Sequence, residues 1–431
     1  LPVAIMLMGV TLIFGAIAVS TGEMRFVQLT LLPNRIYGGI VQSPVLVAAP
    51  MFIFMGLIME KTRIADDLLT TLQRVMRAVP GGLALAVVMM GTILAAATGI
   101  IGASVVMLTV IAIPTMLDRG YSPSLAAGTV ASAGTLGILI PPSVMLVFMG
   151  DLLSINLAKL FVAAFTPGML LAAAYLVYIV AVSAIRPSLA PKAPALSAKE
   201  REGLWLETFV AVILPLLLII AVLGSILGGI ATPTEASGVG VGAALLLGFA
   251  RGRINIEALN GAMDGSVKTL AMLFFIFVGA TGFSYIFRGI GGEAFIIDTA
   301  NGLNMGDWGL LGMMMLMIFL MGFFFDWIEI TLIVLPIFAP IVMGLDMGDH
   351  LAKEDVIYWF AILVAVNLQT SFLTPPFGFA LFFLKGASGG RLKMREIYIG
   401  IIPFVLVQVV VLASLVIWPE IVLWLPRELL K

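Results

Sequence analysis

The sequence predicts an all-α polytopic membrane protein, an inverted repeat with two re-entrant helical hairpins and two broken helices. Three observations carry that prediction. The 431 residues are 61% hydrophobic and 11% charged, with a mean hydropathy of +1.16, which leaves too little polar surface to cover a soluble globule. Next, Gly137-Ile-Leu-Ile-Pro-Pro-Ser143 and Thr370-Ser-Phe-Leu-Thr-Pro-Pro-Phe-Gly378 each set a double proline inside a long apolar segment. A proline pair removes two amide donors and bars helical geometry just before it, so the chain unwinds there. Finally, landmarks recur in one order. Phe52-Ile-Phe-Met-Gly56 returns as Phe275-Ile-Phe-Val-Gly279, Pro114 aligns with Pro340, Pro141 with Pro375 and Pro167 with Pro403.

Along the chain, the apolar segments long enough to cross a bilayer are 3–20, 45–60, 124–150, 161–185, 207–230, 235–250, 268–288, 357–384 and 397–418. The first begins at Leu1 without a basic n-region or a small-residue cleavage site, and reads as a span. Two more segments, 82–117 and 308–345, read as hairpins that return to the side they left. Charge is the reason. With both folded back, 61–80, 118–123, 186–203, 251–268 and 385–396 share one side and hold 16 of the 23 Lys and Arg residues. The other side receives the remaining 7 and the acidic loop of Asp346, Asp349, Glu354 and Asp355, so the first set is cytoplasmic by the positive-inside rule.

Segment 60–79 places Ile64, Leu68, Leu72, Val75, Met76 and Val79 at helical spacing, with Lys61, Arg63, Asp66, Asp67, Arg74 and Arg77 on the other positions. It reads as an interfacial helix on the cytoplasmic surface, and 291–302 as a shorter counterpart on the opposite one. The Pro-, Ala- and charge-rich stretch 186–203 is the linker between halves. The expected organisation is therefore 1–80, scaffold helices and interfacial arm; 81–185, a first repeat with hairpin 82–117 and broken helix 124–150; 186–206, a cytoplasmic linker; 207–306, scaffold helices and second arm; 307–418, a second repeat with hairpin 308–345 and broken helix 357–384; and 419–431, a C-terminal tail. The two arms fall on opposite sides, so the halves have opposite orientations, the plan that serves alternating access.

A net charge of −1 argues against nucleic acid, and zero Cys with one His (His350) leaves no thiolate or His cluster for zinc, haem or iron–sulfur chemistry. No cofactor is expected and no enzyme. Chemistry concentrates instead at two tips and two breaks: 98–104 with 134–143, and 323–331 with 367–378. Unwound backbone at membrane depth is tolerated only where protein buries it or it lines a cavity. There, unpaired carbonyls offer hard oxygen ligands to a small cation, and half-helix N-termini offer positive dipole ends to an anion. The plainer reading is that Gly and Ser let helices pack closely and the prolines are kinks.

Three acids lie deep in the apolar map, where a carboxylate usually faces a cavity, a partner or an ion: Glu235, Asp326 and Glu329. Asp326, at the second tip, is the leading candidate for an ion or proton role. Glu329 reads alternatively as a hydrogen-bond acceptor at that tip. Glu235 follows Ala231-Thr-Pro-Thr and reads equally as a functional acid or as the carboxylate of a capped helix start. His350 reads as a solvated loop residue, and Trp308, Trp327, Trp359, Trp418 and Trp424 as membrane-belt or hairpin-end anchors.

On these residues the sequence resembles the large membrane subunit of TRAP transporters, the tripartite ATP-independent periplasmic uptake systems, over essentially its whole length. The matching elements are the Gly-Ala-Ser tip at 102–104, Ile-Pro-Pro-Ser at 140–143, Ala231-Thr-Pro-Thr-Glu-Ala236, the Asp326 tip and Thr374-Pro-Pro-Phe-Gly378. The resemblance implies sodium-driven uptake of organic acids across the bacterial inner membrane, handed over by a periplasmic substrate-binding protein, in complex with a small four-helix membrane subunit. It also implies an elevator motion, in which hairpins and broken helices slide within the lipid bilayer against a scaffold of the remaining spans. Carried over residue by residue, it implies a first sodium site near Gly102, Ser104, Gly137, Ile140 and Pro142, and a second near Asp326, Thr370, Leu373 and Pro375. Ser104, Thr135, Ser143, Asn367 and Thr374 are the corresponding substrate candidates. After Ser104, where many relatives carry a further Ser or an Asp, this chain has Val105, Val106 and Met107, which leaves the first site fewer side-chain ligands.

The nearest rival is a stand-alone sodium/dicarboxylate or anion permease of related architecture. An intramembrane protease using Asp326 lacks a second intramembrane Asp in a matching helix. A channel suits a continuous pore, whereas matched mid-membrane breaks suit one central site.

Overall fold

The computed structural model describes residues 3–98, 101–192, 203–302, 305–375 and 378–430. Every regular element among them is helical, and nine helices are long and apolar enough to cross a membrane. Gly99 and Ile100 of the first tip, Pro376 and Phe377 of the second break, and 193–202 of the linker lie outside the described residues.

The chain opens with α1 (Val3–Thr21), two short helices α2 (Phe26–Thr30) and α3 (Leu32–Ile36), then α4 (Ala48–Lys61) and the amphipathic α5 (Ile64–Val75). The apolar stripe of α5 is Ile64, Leu68, Leu69 and Leu72, all buried. The first hairpin is α6 (Gly82–Thr98) and α7 (Ile101–Asp118); the first broken helix is α8 (Pro123–Thr135) and α9 (Val144–Leu152), followed by α10 (Leu157–Ile185). After the linker come α11 (Leu204–Leu227), α12 (Pro233–Ala250), the 34-residue α13 (Ile256–Gly289) and α14 (Gly292–Gly302). The second hairpin is α15 (Gly306–Met321) and α16 (Trp327–Gly344), the second broken helix α17 (Lys353–Leu373) and α18 (Phe379–Ala387), and the chain closes with α19 (Met394–Ile417) and α20 (Glu420–Leu429).

Two expectations change here. The helix that carries the span expected over 268–288 starts twelve residues before it, because Asn255 caps α13 by accepting from the Ala258 amide at 2.7 Å. The stretch read as a tail contains α20, whose Val422, Leu423 and Pro426 are buried against α10 while Trp424 stays exposed. Its Arg427 reaches back to Asp355 at 3.0 Å, and Asp355 also holds Lys159 at 2.8 Å.

Burial separates an inner from an outer group. In α17 89% of the most apolar window is buried and in α16 72%, against 22% to 44% in the other spans. Around α17 pack α10, α15, α16 and α19; α1, α4, α11, α12 and α13 pack mainly on one another. The inner contacts are close because their residues are small. α8 reads Pro-Ser-Leu-Ala-Ala-Gly-Thr-Val-Ala-Ser-Ala-Gly-Thr, and Gly128 lies directly on the backbone of Gly400 in α19. Each broken helix also meets the other half's hairpin: α7 packs on α18, and α16 on α9.

Candidate functional site

The starts of four helices converge on one cavity of about 100 Å³. Ile101 and Gly102 open α7, Val144 opens α9, Trp327 and Ile328 open α16 behind Asp326, and Phe379 opens α18; all line it. Phe372 and Phe383 complete the inner wall, and Thr269, Met272 and Leu273 of α13 close it from the outer group. The first four amides of a helix have no intrahelical acceptor, so four such ends make a strongly positive focus.

Local chemistry explains how each end is held open. In the first break Leu136–Ile138 tighten into a 3-10 turn, Pro141 and Pro142 are joined by a cis peptide bond, and Ser143 is extended before α9 begins. Gly102 leaves room for the Phe383 ring, which a Cβ would meet at 3.2 Å. At the second tip Asp326 accepts from the Trp327 amide at 2.7 Å, and Glu329 accepts from the Asp326 amide at 2.7 Å, a reciprocal capping box. Glu329 is thus the acceptor at the tip. Glu235 closes a similar box with Thr232 at the exposed start of α12, accepting from its amide at 2.8 Å. It sits outside the apolar interior where the sequence map placed it.

Of the sodium candidates, Gly102 and Asp326 line the cavity. Gly137, Ile140 and Pro142 are buried in the first break, and Leu373 is buried beside the lining residue Phe372, with Thr370 buried two residues before it and Pro375 partly exposed two residues after Leu373. Ser104 is buried on α7, two residues beyond Gly102. Thr370 donates to the Val366 carbonyl at 2.9 Å, so its remaining lone pairs suit a cation.

Three of the substrate candidates turn into their own backbone. Ser143 donates to the Ile138 carbonyl (2.7 Å), Thr374 to the Thr370 carbonyl (2.8 Å) and Thr135 to the Ser132 carbonyl (3.0 Å). The Asn367 amide donates to the Met315 carbonyl at 2.7 Å, and Gln369 donates to Thr135 at 3.2 Å, tying the two broken helices together. A hydroxyl has one proton, and a carbonyl partner takes it. In this conformation these three hydroxyls cannot donate to a carboxylate.

A second cavity, of about 600 Å³, lies between α2–α3, the outer end of α13 and α16. It faces the side opposite the basic loops. Its wall includes Gln28, Arg35, Thr281, Ser284, Tyr285 and Arg288 above an apolar floor of Phe277, Leu332 and Pro336. Between the cavities stands an aromatic cluster: Phe148 lies 5.6 Å from Phe277, which lines the outer cavity, and 6.1 Å from Trp327, which lines the central one. Sequence reasoning passed over Phe148, Arg35 and Arg288. The available signals were Phe277's place in the recurring pentapeptide and the scarcity of Lys and Arg on that side.

Two aromatic assignments are corrected. His350 is held between Trp308 (5.0 Å) and Trp359 (6.0 Å) with Nε2 3.0 Å from the Val416 carbonyl, because the 345–352 loop folds onto the α17–α19 seam. Trp359 is fully buried and donates to the Leu415 carbonyl at 2.8 Å, a core residue where a belt anchor was expected.

Comparison with known proteins adds a family. Residues 1–421 match the family model described as tripartite ATP-independent periplasmic transporter, DctM component. The C4-dicarboxylate TRAP transporter large permease protein DctM of Pseudomonas aeruginosa is 30% identical over 386 residues, covering 89% of this chain and 86% of that protein. The ectoine TRAP transporter large permease protein TeaC of Halomonas elongata is 27% identical over 402 residues, with 92% and 90% covered. Among solved structures, the Alcanivorax borkumensis YdaH transporter, described as having an unusual topology, superposes with a TM-score of 0.64 at 15% identity over 99% of this chain and 97% of its own, a likeness of fold.

Proposed function

Because the chain belongs to the DctM component family of tripartite ATP-independent periplasmic transporters, a multi-pass large permease of the bacterial inner membrane and not an enzyme, we propose that it carries organic acids inward in company with sodium. The observation that carries this reading is the convergence of four helix starts on the cavity holding Asp326. Positive helix ends suit a carboxylate, while the neighbouring break carbonyls and Asp326 suit a monovalent cation without a charged cage. The sodium sites are those of Gly102, Ser104, Gly137, Ile140 and Pro142, and of Asp326, Thr370, Leu373 and Pro375. Relatives are named for C4-dicarboxylates and for ectoine. Both compounds carry a carboxylate, so that group is the feature assigned to this chain's substrate. The proposed partners are the small membrane subunit and the periplasmic binding protein that the word tripartite entails.

The exchanged contacts, α7 on α18 and α16 on α9, are what a two-fold relation between inverted halves produces, and they support an inner group that moves as one body against the outer helices. Uptake into proteoliposomes containing the complete complex tests the coupling. With an imposed sodium gradient, uptake of succinate or a related acid should collapse when choline replaces sodium. Undiminished uptake on a proton gradient alone would overturn it.

A further inference from the structure

We propose that the outer cavity is itself a carboxylate-recognition site, in which Arg35 and Arg288 hold the anionic group of the substrate before it reaches the central cavity. This rests on the reading of the chain as an organic-acid carrier. Size is the first argument. A water occupies about 30 Å³, so the central cavity, at 100 Å³, holds an ion and a few waters, whereas 600 Å³ accommodates a small organic acid with its hydration. The conformation described therefore offers the acid a place outside and none at the centre.

Charge is the second. The outer cavity is lined by two guanidinium groups and by no carboxylate among the described residues. Arg35 lies in the last turn of α3, and Arg288 meets Glu293 only at 3.7 Å with both side chains substantially exposed, a pairing weak enough to yield to a bound anion. Guanidinium offers paired donors in the geometry of a carboxylate, and Thr281 and Ser284 add hydroxyls one helical turn apart on the same face of α13. The Tyr285 hydroxyl donates to the Gln28 carbonyl at 2.8 Å and fastens the α2–α3 segment, with Arg35, to the helix that carries Arg288.

Position is the third. Thr135, Ser143 and Thr374 donate into their own backbone, so the cavity outside supplies side-chain donors that these three hydroxyls do not. Its floor, Phe277, touches Phe148, and Phe148 touches Trp327 of the central wall. An acid held by the two arginines thus rests against the aromatic cluster it must pass.

The chain has no cysteine, which permits a test independent of transport. In zwitterionic nanodiscs containing the full chain, Thr281→Cys should react faster with an anionic than with a cationic thiosulfonate, by about tenfold as a focused positive field requires. The ratio should fall toward one when Arg35→Gln and Arg288→Gln are added, persist with Arg35→Lys and Arg288→Lys, and succinate should slow the reaction only while the cations are present. No reaction with either reagent, a ratio indifferent to the Gln pair, or protection by anionic phospholipid but not succinate would each overturn the assignment. Loss of sodium-driven uptake with charge-selective labelling retained would remove the coupling and leave the cavity's role standing.

Discussion

Asp326 combines two tasks that a carboxylate can perform together. One oxygen caps α16 through the Trp327 amide, and the side chain faces the central cavity. Asn caps a helix about as well as Asp, whereas Ala at such a position costs about 1 kcal/mol. Asp326→Asn should therefore keep the thermal stability of the purified complex but weaken the apparent sodium affinity of uptake about tenfold, or ~1.4 kcal/mol. Asp326→Ala should lower both. Normal sodium dependence in the Asn variant would return the acid to capping alone. The contrast with Glu235 is instructive: the same box chemistry at the start of α12 holds that carboxylate at an exposed surface.

At the scale of elements, the broken helices work because their first halves can be buried on every side. α8 achieves this with small residues, and Gly128 and Gly400 bring α8 and α19 into backbone contact; a Cβ at Gly400 would also fall 2.7 Å from the Ser124 carbonyl carbon. Neither backbone can retreat without dragging its helix. Gly128→Ala should destabilise the complex by about 1–3 kcal/mol, the range for overpacking a filled interior, read as a lowered melting temperature in detergent. Gly386→Ala, on α18 with nothing within 4 Å of the added carbon, should leave it unchanged or slightly raised. Equal effects at both positions would mean that propensity, and not the crossing, sets the response.

For the whole molecule, the question is what must break if the inner group slides. One tie between the groups is specific: Ser43, in the loop before α4, donates to Asp151 at the end of α9 at 2.8 Å. The same loop is held to α12, since Thr234 donates to the Pro44 carbonyl at 2.7 Å. The outer loop thus grips the inner group on the side of the 600 Å³ cavity. In the proposed displacement this grip is released. A cross-link at this contact tests the release: Ser43→Cys combined with Asp151→Cys, once oxidised to the disulfide, should nearly abolish uptake and recover with reductant. Full uptake by the cross-linked protein would show that these elements travel together.

The sequence by itself determined what local physics controls. Hydropathy marked the spans, double prolines marked where α8 and α17 must stop, and Thr232 with Glu235 announced a capped start, because each signal lies within a few residues of its effect. It also placed Asp326 and Gly102 among the residues of interest, through an uncompensated acid and a tip glycine. The tertiary structure alone decided the rest. That Phe148 stands between Phe277 and Trp327, that Arg35 and Arg288 share a cavity, that His350 packs against the buried Trp359, and that the Asn367 amide donates to the Met315 carbonyl all depend on helices far apart in the chain being pressed together. Side-chain type records which groups can meet a carboxylate or a cation; only packing settles which of them still has a free proton or lone pair facing the space where the ligand goes.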